Sequence, residues 1–426
     1  MLICIQGLRQ TTEVSAMKIL ALNCGSSSIK YKIFDVDSNY QLLAKGAAER
    51  IGQKSSSIWH VIENKHKHRI ETSLPDHRTA LRELHQAFVE NKSSLRRDIG
   101  RIDGVGHRIV HGGERFRNPA LINEDVINQI KKVARFAPLH CQPNITGIEV
   151  SRELLPDIPH VAVFDTAVHQ TIESKAFLYG LPIEYYEKHK IRKYGFHGIN
   201  HDYVANEAAR ILAKPIHNLK VITCHLGSGC SITAFEQGKS IDTSMGLTPL
   251  EGLVMGSRCG DLDPSVVLYL IDVLGLQVAQ VSDLLNKKSG LLGLCGKNDM
   301  RDIIAMAETG DKRAQVAIEV FVYRVQKYIG AYVAALNGVD AIVFTGGIGE
   351  NDPYIRARII DNFSYLGAHA DPEKNKNNET IFSSENSNIR LMNIPANEEI
   401  VIAQQAYNIL KKNTKNIAQN TSIGSL

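Results

Sequence analysis

The stretch Asn23-Cys24-Gly25-Ser26-Ser27-Ser28 follows the apolar run Ile19-Leu20-Ala21-Leu22 and precedes the alternating run Ile29-Lys30-Tyr31-Lys32-Ile33-Phe34. That order reads as strand, tight turn, strand. It recurs in altered form much further along: Val221-Ile222-Thr223-Cys224-His225, then Leu226-Gly227-Ser228-Gly229, then Ser231-Ile232-Thr233-Ala234-Phe235. Either copy alone is as readily an ordinary β-turn. Two copies in corresponding positions predict a duplicated fold that grips one anion, because Gly lets the backbone approach a phosphate while hydroxyls and N–H groups complete the cradle.

A chain of 426 residues is long for one core and comfortable for two. A net charge of +4 is too small to argue for nucleic acid. The densest basic cluster, His60 with Lys65, His66, Lys67, His68 and Arg69, has Trp59 as its aromatic neighbour and reads as a solvated edge. The seven cysteines (Cys4, Cys24, Cys141, Cys224, Cys230, Cys259, Cys295) form no Cys-x-x-Cys, which fits reduced thiols in the cytoplasm. No apolar run approaches a membrane span, and Met1 to Ala16 lacks the features of a signal peptide.

Alternating strands and helices indicate an α/β architecture. Ile102 to Val110 reads as a buried strand entering His111-Gly112-Gly113-Glu114. His160 to Phe164 reads as another, ending at Asp165-Thr166, and the domain boundary is expected soon after Asp165. Ala314 to Leu336 has helical periodicity and stops at Asn337-Gly338. Asp371 to Thr380 reads as a polar loop, and a last helix is expected over Ile400 to Leu410 before a structureless tail.

Several constellations bear chemistry. Arg108, near a strand end, offers a planar fork for carboxylate or phosphate, or else pairs structurally with Glu114. Val110 on the same strand suits the wall of a small apolar pocket. Arg258, in Met255-Gly256-Ser257-Arg258-Cys259-Gly260-Asp261-Leu262-Asp263-Pro264, is a second such arginine unless it merely pairs with Asp261 or Asp263. His197 stands between glycines in Tyr194-Gly195-Phe196-His197-Gly198-Ile199-Asn200-His201, a setting open to a ligand or to a structural role. Asp299-Met300-Arg301 suits ribose and phosphate contacts, or simply a charged helix start. Gly346-Gly347-Ile348-Gly349-Glu350 after a buried strand has the placement of a nucleotide site, without a Walker lysine. Asp165 has few structural excuses, since an unpaired buried carboxylate is costly.

Taken in order, these segments resemble the acetokinase family, within the actin, sugar kinase and Hsp70 superfamily. The likeness runs from Met17 to about Leu410 and adds Ala137-Pro138-Leu139-His140 to the motifs above. The resemblance implies a duplicated actin-like (ribonuclease H-like) α/β fold with two domains around a central cleft. Residues 17–168 with 395–412 would form the first domain and 169–394 the second, nucleotide-binding one. Residues 1–16 would be an extension and 413–426 a disordered tail. It further implies ATP-dependent phosphorylation of acetate to acetyl phosphate with Mg²⁺, for which Mn²⁺ can substitute, in a homodimer without nucleic-acid or membrane partners.

By the same resemblance Asn23 and Glu398 hold the metal, and Ser26, Ser28 and Lys30 surround the phosphates. Arg108, Val110, His140 and Phe196 bind the carboxylate substrate, and Arg258 and His197 meet the transferring phosphoryl. His225, Leu226, Gly227, Ser228 and Gly229, then Asp299 to Arg301, then Gly346 to Glu350 contact ATP. Asp165 holds the position of the catalytic acid or base. One departure is Ser228, a short hydroxyl where the family has Asn. Acetate is already ionised at pH 7, so Asp165 has no proton to remove and is expected to orient Arg108 or a metal-bound water. A propionate or other short-chain carboxylate kinase is the alternative within the class, and an actin- or Hsp70-like nucleotide switch is the alternative outside it.

Overall fold

The computed structural model describes residues 16–62, 67–89 and 101–423, without the side chains of 87–89, 138–140 and 414–423. Five sequence expectations therefore lie outside the described residues: the leader up to Ser15, Lys65 with His66, the helix break at 91–94, the side chain of His140, and residues 424–426.

The first turn sits where the sequence puts it. β1 (Lys18–Cys24) pairs antiparallel with β2 (Ser28–Asp35), Cys24 opposite Ile29 and Asn23 opposite Lys30. Ile19, Ala21, Leu22 and Cys24 of β1 are buried. Next come β3 (Gln41–Glu49), β4 (Ser57–Ile62), β5 (His68–Glu71), β6 (Gly104–Ile109), β7 (Ala120–Leu121) and β8 (His160–Phe164). Among the described residues the sheet order is β5-β4-β3-β2-β1-β6-β8-β7, with β1 and β6 parallel.

The second turn repeats the plan. β9 (Lys220–Leu226) pairs antiparallel with β10 (Cys230–Glu236) and parallel with β12 (Ala341–Thr345). With β11 (Lys239–Thr243) and β13 (Arg390–Asn393) the order is β11-β10-β9-β12-β13. This matches β3-β2-β1-β6-β8 strand for strand. The α/β class and the duplicated topology expected from the sequence are what the structure shows.

Contacts divide the chain into two units. The first comprises Met1–His107, Thr146–Val161 and Ile402–Leu426, and the second Arg108–Ile145 and Ala162–Val401. The division falls inside β6 and β8, so Arg108, Asp165 and Glu398 all belong to the second unit. The sequence reading had instead grouped 17–168 with 395–412.

In the first unit, Ala80, Leu81 and Val150 pack on Cys24, Ile29, Ala48 and Ile58. In the second, helix Lys312–Leu336 covers one sheet face with Ala317, Phe321, Val325 and Ile329, spaced at helical intervals. It ends at Asn337 in the left-handed conformation (φ 52°), as the Asn-Gly signal predicts. Helix Gly198–Ile211 covers the other face, with Val204, Ala205 and Ala208 against Val221, Ala341 and Val343. That packing fixes where its first residue, and hence His197, must stand.

Two local expectations change. The loop at Asp371–Thr380 contains a helical turn, Pro372–Lys376, capped by the Asp371 carboxylate. The last helix spans Glu398–Ile423 rather than stopping at Leu410, because no Gly or Pro interrupts it before Gly424. Among the described residues no helix is long and apolar enough to cross a membrane.

Candidate active site

Asp165 follows β8 and is completely buried, so its charge must be met on every side. Its Oδ2 accepts the His197 N–H (3.0 Å) and an Arg108 Nη2–H (2.6 Å), and its Oδ1 accepts the Ile199 N–H (3.2 Å). Those two N–H groups open helix Gly198–Ile211, where unpaired backbone donors and the helix dipole favour an anion. The approach is so close that a Cβ on Gly198 would lie 2.1 Å from the Asp165 carbonyl oxygen. Only glycine fits there.

Arg108, 13% exposed, also lies 3.6 Å from Glu398 Oε2. Burial opposes its charge, but Asp165 and Glu398 outweigh that, and the guanidinium is held charged above the ordinary arginine range. Pairing with Glu114 does not occur. Glu114 is taken by Arg192 (3.0 Å), Lys190 (3.8 Å) and the Tyr186 hydroxyl (2.9 Å).

His197 caps the helix with φ 57°. Its Nδ1 lies 2.8 Å from Ser231 Oγ, and its ring stacks on His225 with centroids 4.3 Å apart. Burial, then His225, Arg108, His201 and Arg258, hold it well below the ordinary histidine range, so it is neutral at pH 7. Asn200 Nδ2 lies 2.8 Å from His225 Nδ1 and 3.3 Å from Thr345 Oγ1.

Arg258 stands in a loop sewn to the second turn. Gly256 N–H donates to Ser228 O (3.1 Å), Met255 N–H to Arg258 O (3.1 Å) and Leu291 N–H to Met255 O (2.9 Å). Its Nη1 donates to Pro249 O (2.6 Å), and among the described residues no carboxylate lies within ion-pair distance of it. Asp261 instead binds Arg324 (3.3 Å) and the Tyr328 hydroxyl (2.7 Å), and Asp263 caps helix Pro264–Asp272. Burial pulls the Arg258 pKa below the ordinary arginine range. A Cβ on Gly229 would lie 2.7 Å from Arg258 Nη2 and 3.5 Å from His197 Nε2. The space above Gly229 is thus shared by a cation that lacks a carboxylate and a neutral imidazole.

The remaining expected residues of the second unit fall into three groups. Val110 and Phe196 are buried in the second unit's core, and Val110 N–H donates to Asn144 Oδ1 (2.8 Å). Leu226 to Gly229 form the β9–β10 turn, and Gly346, Gly347, Ile348, Gly349 and Glu350 open a short helix, Gly346–Asn351, directly after β12. Glu350 Oε1 accepts both Gly346 N–H (2.9 Å) and Ala396 N–H (2.8 Å), so this carboxylate is a structural tie. Asp299 caps helix Met300–Glu308 and pairs with the exposed Arg301 (2.6 Å), while Met300 is buried.

In the first unit the β1–β2 turn is closed by Gly25 N–H to Ser28 O (2.8 Å) and held by Ser27 O accepting from Ile51 N–H (3.0 Å). His77 Nε2 meets Gly25 O at 2.7 Å. Ser26 and Lys30 are exposed, and Asn23 and Ser28 are half-buried.

Sequence reading passed over Ser231, His201, Thr223, Asn200 and Asn144. A signal existed for some of them. Asn200 and His201 follow His197 by three and four residues, the spacing of one helix face. Thr223 and His225 alternate on β9, as Ser231 and Thr233 do on β10.

The acetokinase family profile matches residues 18–404. The chain belongs to the acetokinase family. It is 50% identical over 399 residues to an acetate kinase of Natranaerobius thermophilus, covering 93% of this chain and all of that protein. It is 48% identical over 402 residues to an acetate kinase of Thermotoga maritima, covering 93% and 99%. Among solved structures it superposes on a propionate kinase from Francisella tularensis (TM-score 0.86, 46% identity, 92% of this chain and 99% of that one). It superposes equally well on the acetate kinase of Porphyromonas gingivalis (TM-score 0.85, 40% identity, 93% and 100%). Within this acetokinase the buried cluster of the second unit is therefore part of a fold shared along the whole chain.

Proposed function

We propose that the chain catalyses reversible transfer of the γ-phosphoryl group of ATP to acetate, giving acetyl phosphate and ADP. Family membership over nearly the whole chain supports the reaction class. The observation that carries the site is the pairing of an Asp165-held guanidinium, Arg108, with Arg258, which has no carboxylate partner among the described residues. A phosphoryl transition state spreads negative charge over its equatorial oxygens, so fixed cations and hydrogen-bond donors supply most of the catalysis.

Arg108 grips the acetate carboxylate, with Val110 and Phe196 as the apolar wall. Arg258 and the Nε2–H of His197 meet the phosphoryl in flight. Asp165 removes no proton. Its three contacts instead hold Arg108 and the His197 backbone in register, and breaking one side of such a buried pair costs about 3–5 kcal/mol. The turn at Leu226–Gly229, with Gly346–Gly349, cradles the nucleotide.

Mg²⁺ prefers one or two carboxylates completed by water and phosphate oxygens. Glu398, a half-buried carboxylate at a helix start, would supply one such oxygen. The ion would neutralise phosphate charge and fix its geometry. A homodimer is supported by the apolar surface of helices Pro264–Asp272 and Val278–Lys287, where Leu268, Tyr269, Val273 and Val278 are 60%, 56%, 62% and 71% exposed. A cytoplasmic location is supported by the free thiols among the described residues.

Comparing kcat/KM for acetate, propionate and butyrate tests the reading. One methylene is worth only about 1–3 kcal/mol, so propionate is expected to react measurably but less well. A higher kcat/KM for propionate would transfer the assignment to the propionate kinases that one structural relative represents.

A further inference from the structure

His197 is useful to a phosphoryl oxygen only if the nitrogen facing it carries a hydrogen. A neutral imidazole has one N–H and one lone pair, so the protein must select the tautomer. The face turned toward the space above Gly229 and Arg258 includes Nε2, while Nδ1 faces Ser231.

Behind His197 runs a chain of buried side chains that the proposed reaction does not itself use. Ser231 Oγ lies 2.8 Å from His197 Nδ1 and 2.6 Å from His201 Nε2. His201 Nδ1 lies 2.7 Å from Thr223 Oγ1. Ser231, His201 and Thr223 are completely buried, so water does not mediate these contacts. Each hydroxyl has one hydrogen, and each neutral ring has one N–H. The chain therefore has only two consistent directions.

At its far end Thr223 Oγ1 lies 2.7 Å from His201 Nδ1 and 3.4 Å from Thr233 O. A contact of that length is made in either direction, so it is the phosphoryl oxygen His197 must meet that selects between them. With the Thr223 hydrogen on His201 Nδ1, His201 carries its own hydrogen on Nε2 and donates to Ser231, and Ser231 donates to His197 Nδ1. We infer that Ser231, His201 and Thr223 are positioning residues that lock His197 as the Nε2–H tautomer, the form that donates toward the space above Gly229. The reverse direction would turn a lone pair on that phosphoryl oxygen. Burial keeps both rings neutral, which leaves no third arrangement with an imidazolium.

This inference rests on the acetate kinase reading, and its test separates the two. In full-length enzyme labelled with ¹⁵N-histidine, the His197 signals are assigned by their loss in His197→Gln. The expected spectrum has a protonated Nε2 and an unprotonated, pyridine-type Nδ1. In Ser231→Ala that preference is lost and kcat falls at least about tenfold, while both KM values stay within about threefold. Holding the wrong histidine tautomer in a serine protease costs about 10⁴. Ser231→Thr, which keeps the hydroxyl, recovers most of the turnover. A wild-type ring protonated on Nδ1, or an undiminished kcat in Ser231→Ala, overturns the inference. The wild-type spectrum decides even if the alanine variant does not fold. Wild-type enzyme inactive on acetate would instead defeat the functional reading, with the tautomer still read from the spectrum.

Discussion

The two Gly-Ser turns occupy equivalent places in equivalent sheets, yet they are supported in different ways. In the β1–β2 turn, backbone bonds and the His77 imidazole meet the main chain, and Ser26 and Ser27 are exposed. The β9–β10 turn is backed by His197, His201, His225, Asn200 and Ser231, and the Arg258 loop is bonded to it. The same strand–turn–strand unit therefore carries exposed hydroxyls in one copy and rests on a buried polar cluster in the other. Pre-organisation of that kind is what a charge-stabilising catalyst needs.

Acid should break the second turn's surroundings first. His111, His169, His197 and His201 are all pushed below the ordinary histidine range, His169 to about 4 and His111 to about 3. Below pH of about 6.5 the unfolded chain takes up protons that the folded chain refuses, so stability falls as pH falls. Each such histidine removes about 1.4 kcal/mol per pH unit until its folded-state value is reached. His111 and His169 together should therefore withdraw about 3 kcal/mol between pH 6.5 and 5, since each unfolded imidazole is only half protonated at the upper end. Urea unfolding at pH 7.5, 6.5 and 5 measures this, and constant stability over that span would contradict it.

Replacing Arg258 by Ala should lower kcat at least about 10²-fold, comparable with losing one pre-organised transition-state donor. Steady-state kinetics that showed near-wild-type turnover would remove Arg258 from the site. Gly229→Ala is a milder probe. Its Cβ would crowd Arg258 and His197 without requiring left-handed backbone, so kcat should drop about tenfold in a protein that still melts normally. The first turn should tolerate more. If either hydroxyl meets the nucleotide, Ser26→Ala or Ser28→Ala would remove one hydrogen bond worth about 0.5–1.5 kcal/mol, raising KM for ATP up to about tenfold with kcat nearly unchanged. The smallest change is expected from Ser228→Asn, which restores the family residue on an exposed position. A shift in KM for ATP beyond about tenfold would show a stronger nucleotide contact than one hydrogen bond supplies.

Much of this was legible in the sequence because it is local. The turn motifs, the apolar strands and the 3.6-residue period of 314–336 each lie within a few residues of one another. Arg108, Asp165 and His197 were also conspicuous, each beside glycine or at a strand end. Their partners were not. Arg108 meets Asp165 across 57 positions, and whether it chose Asp165 or Glu114 depends on how β6 and β8 lie side by side. Ser231 is an ordinary strand serine until His197 and His201 converge on it from another element. The terminal helix was cut short for the opposite reason. Its polar residues past Leu410 carry no apolar stripe, yet nothing in them forbids helical dihedrals.

The carboxylate of Glu350 knots the glycine segment at Gly346 to the stem that carries Glu398, through Ala396. Damage there cannot remain a nucleotide defect. Loosening that knot in Glu350→Gln should weaken ATP and acetate together, and paired KM values would reveal one shared lesion where two separate sites are drawn.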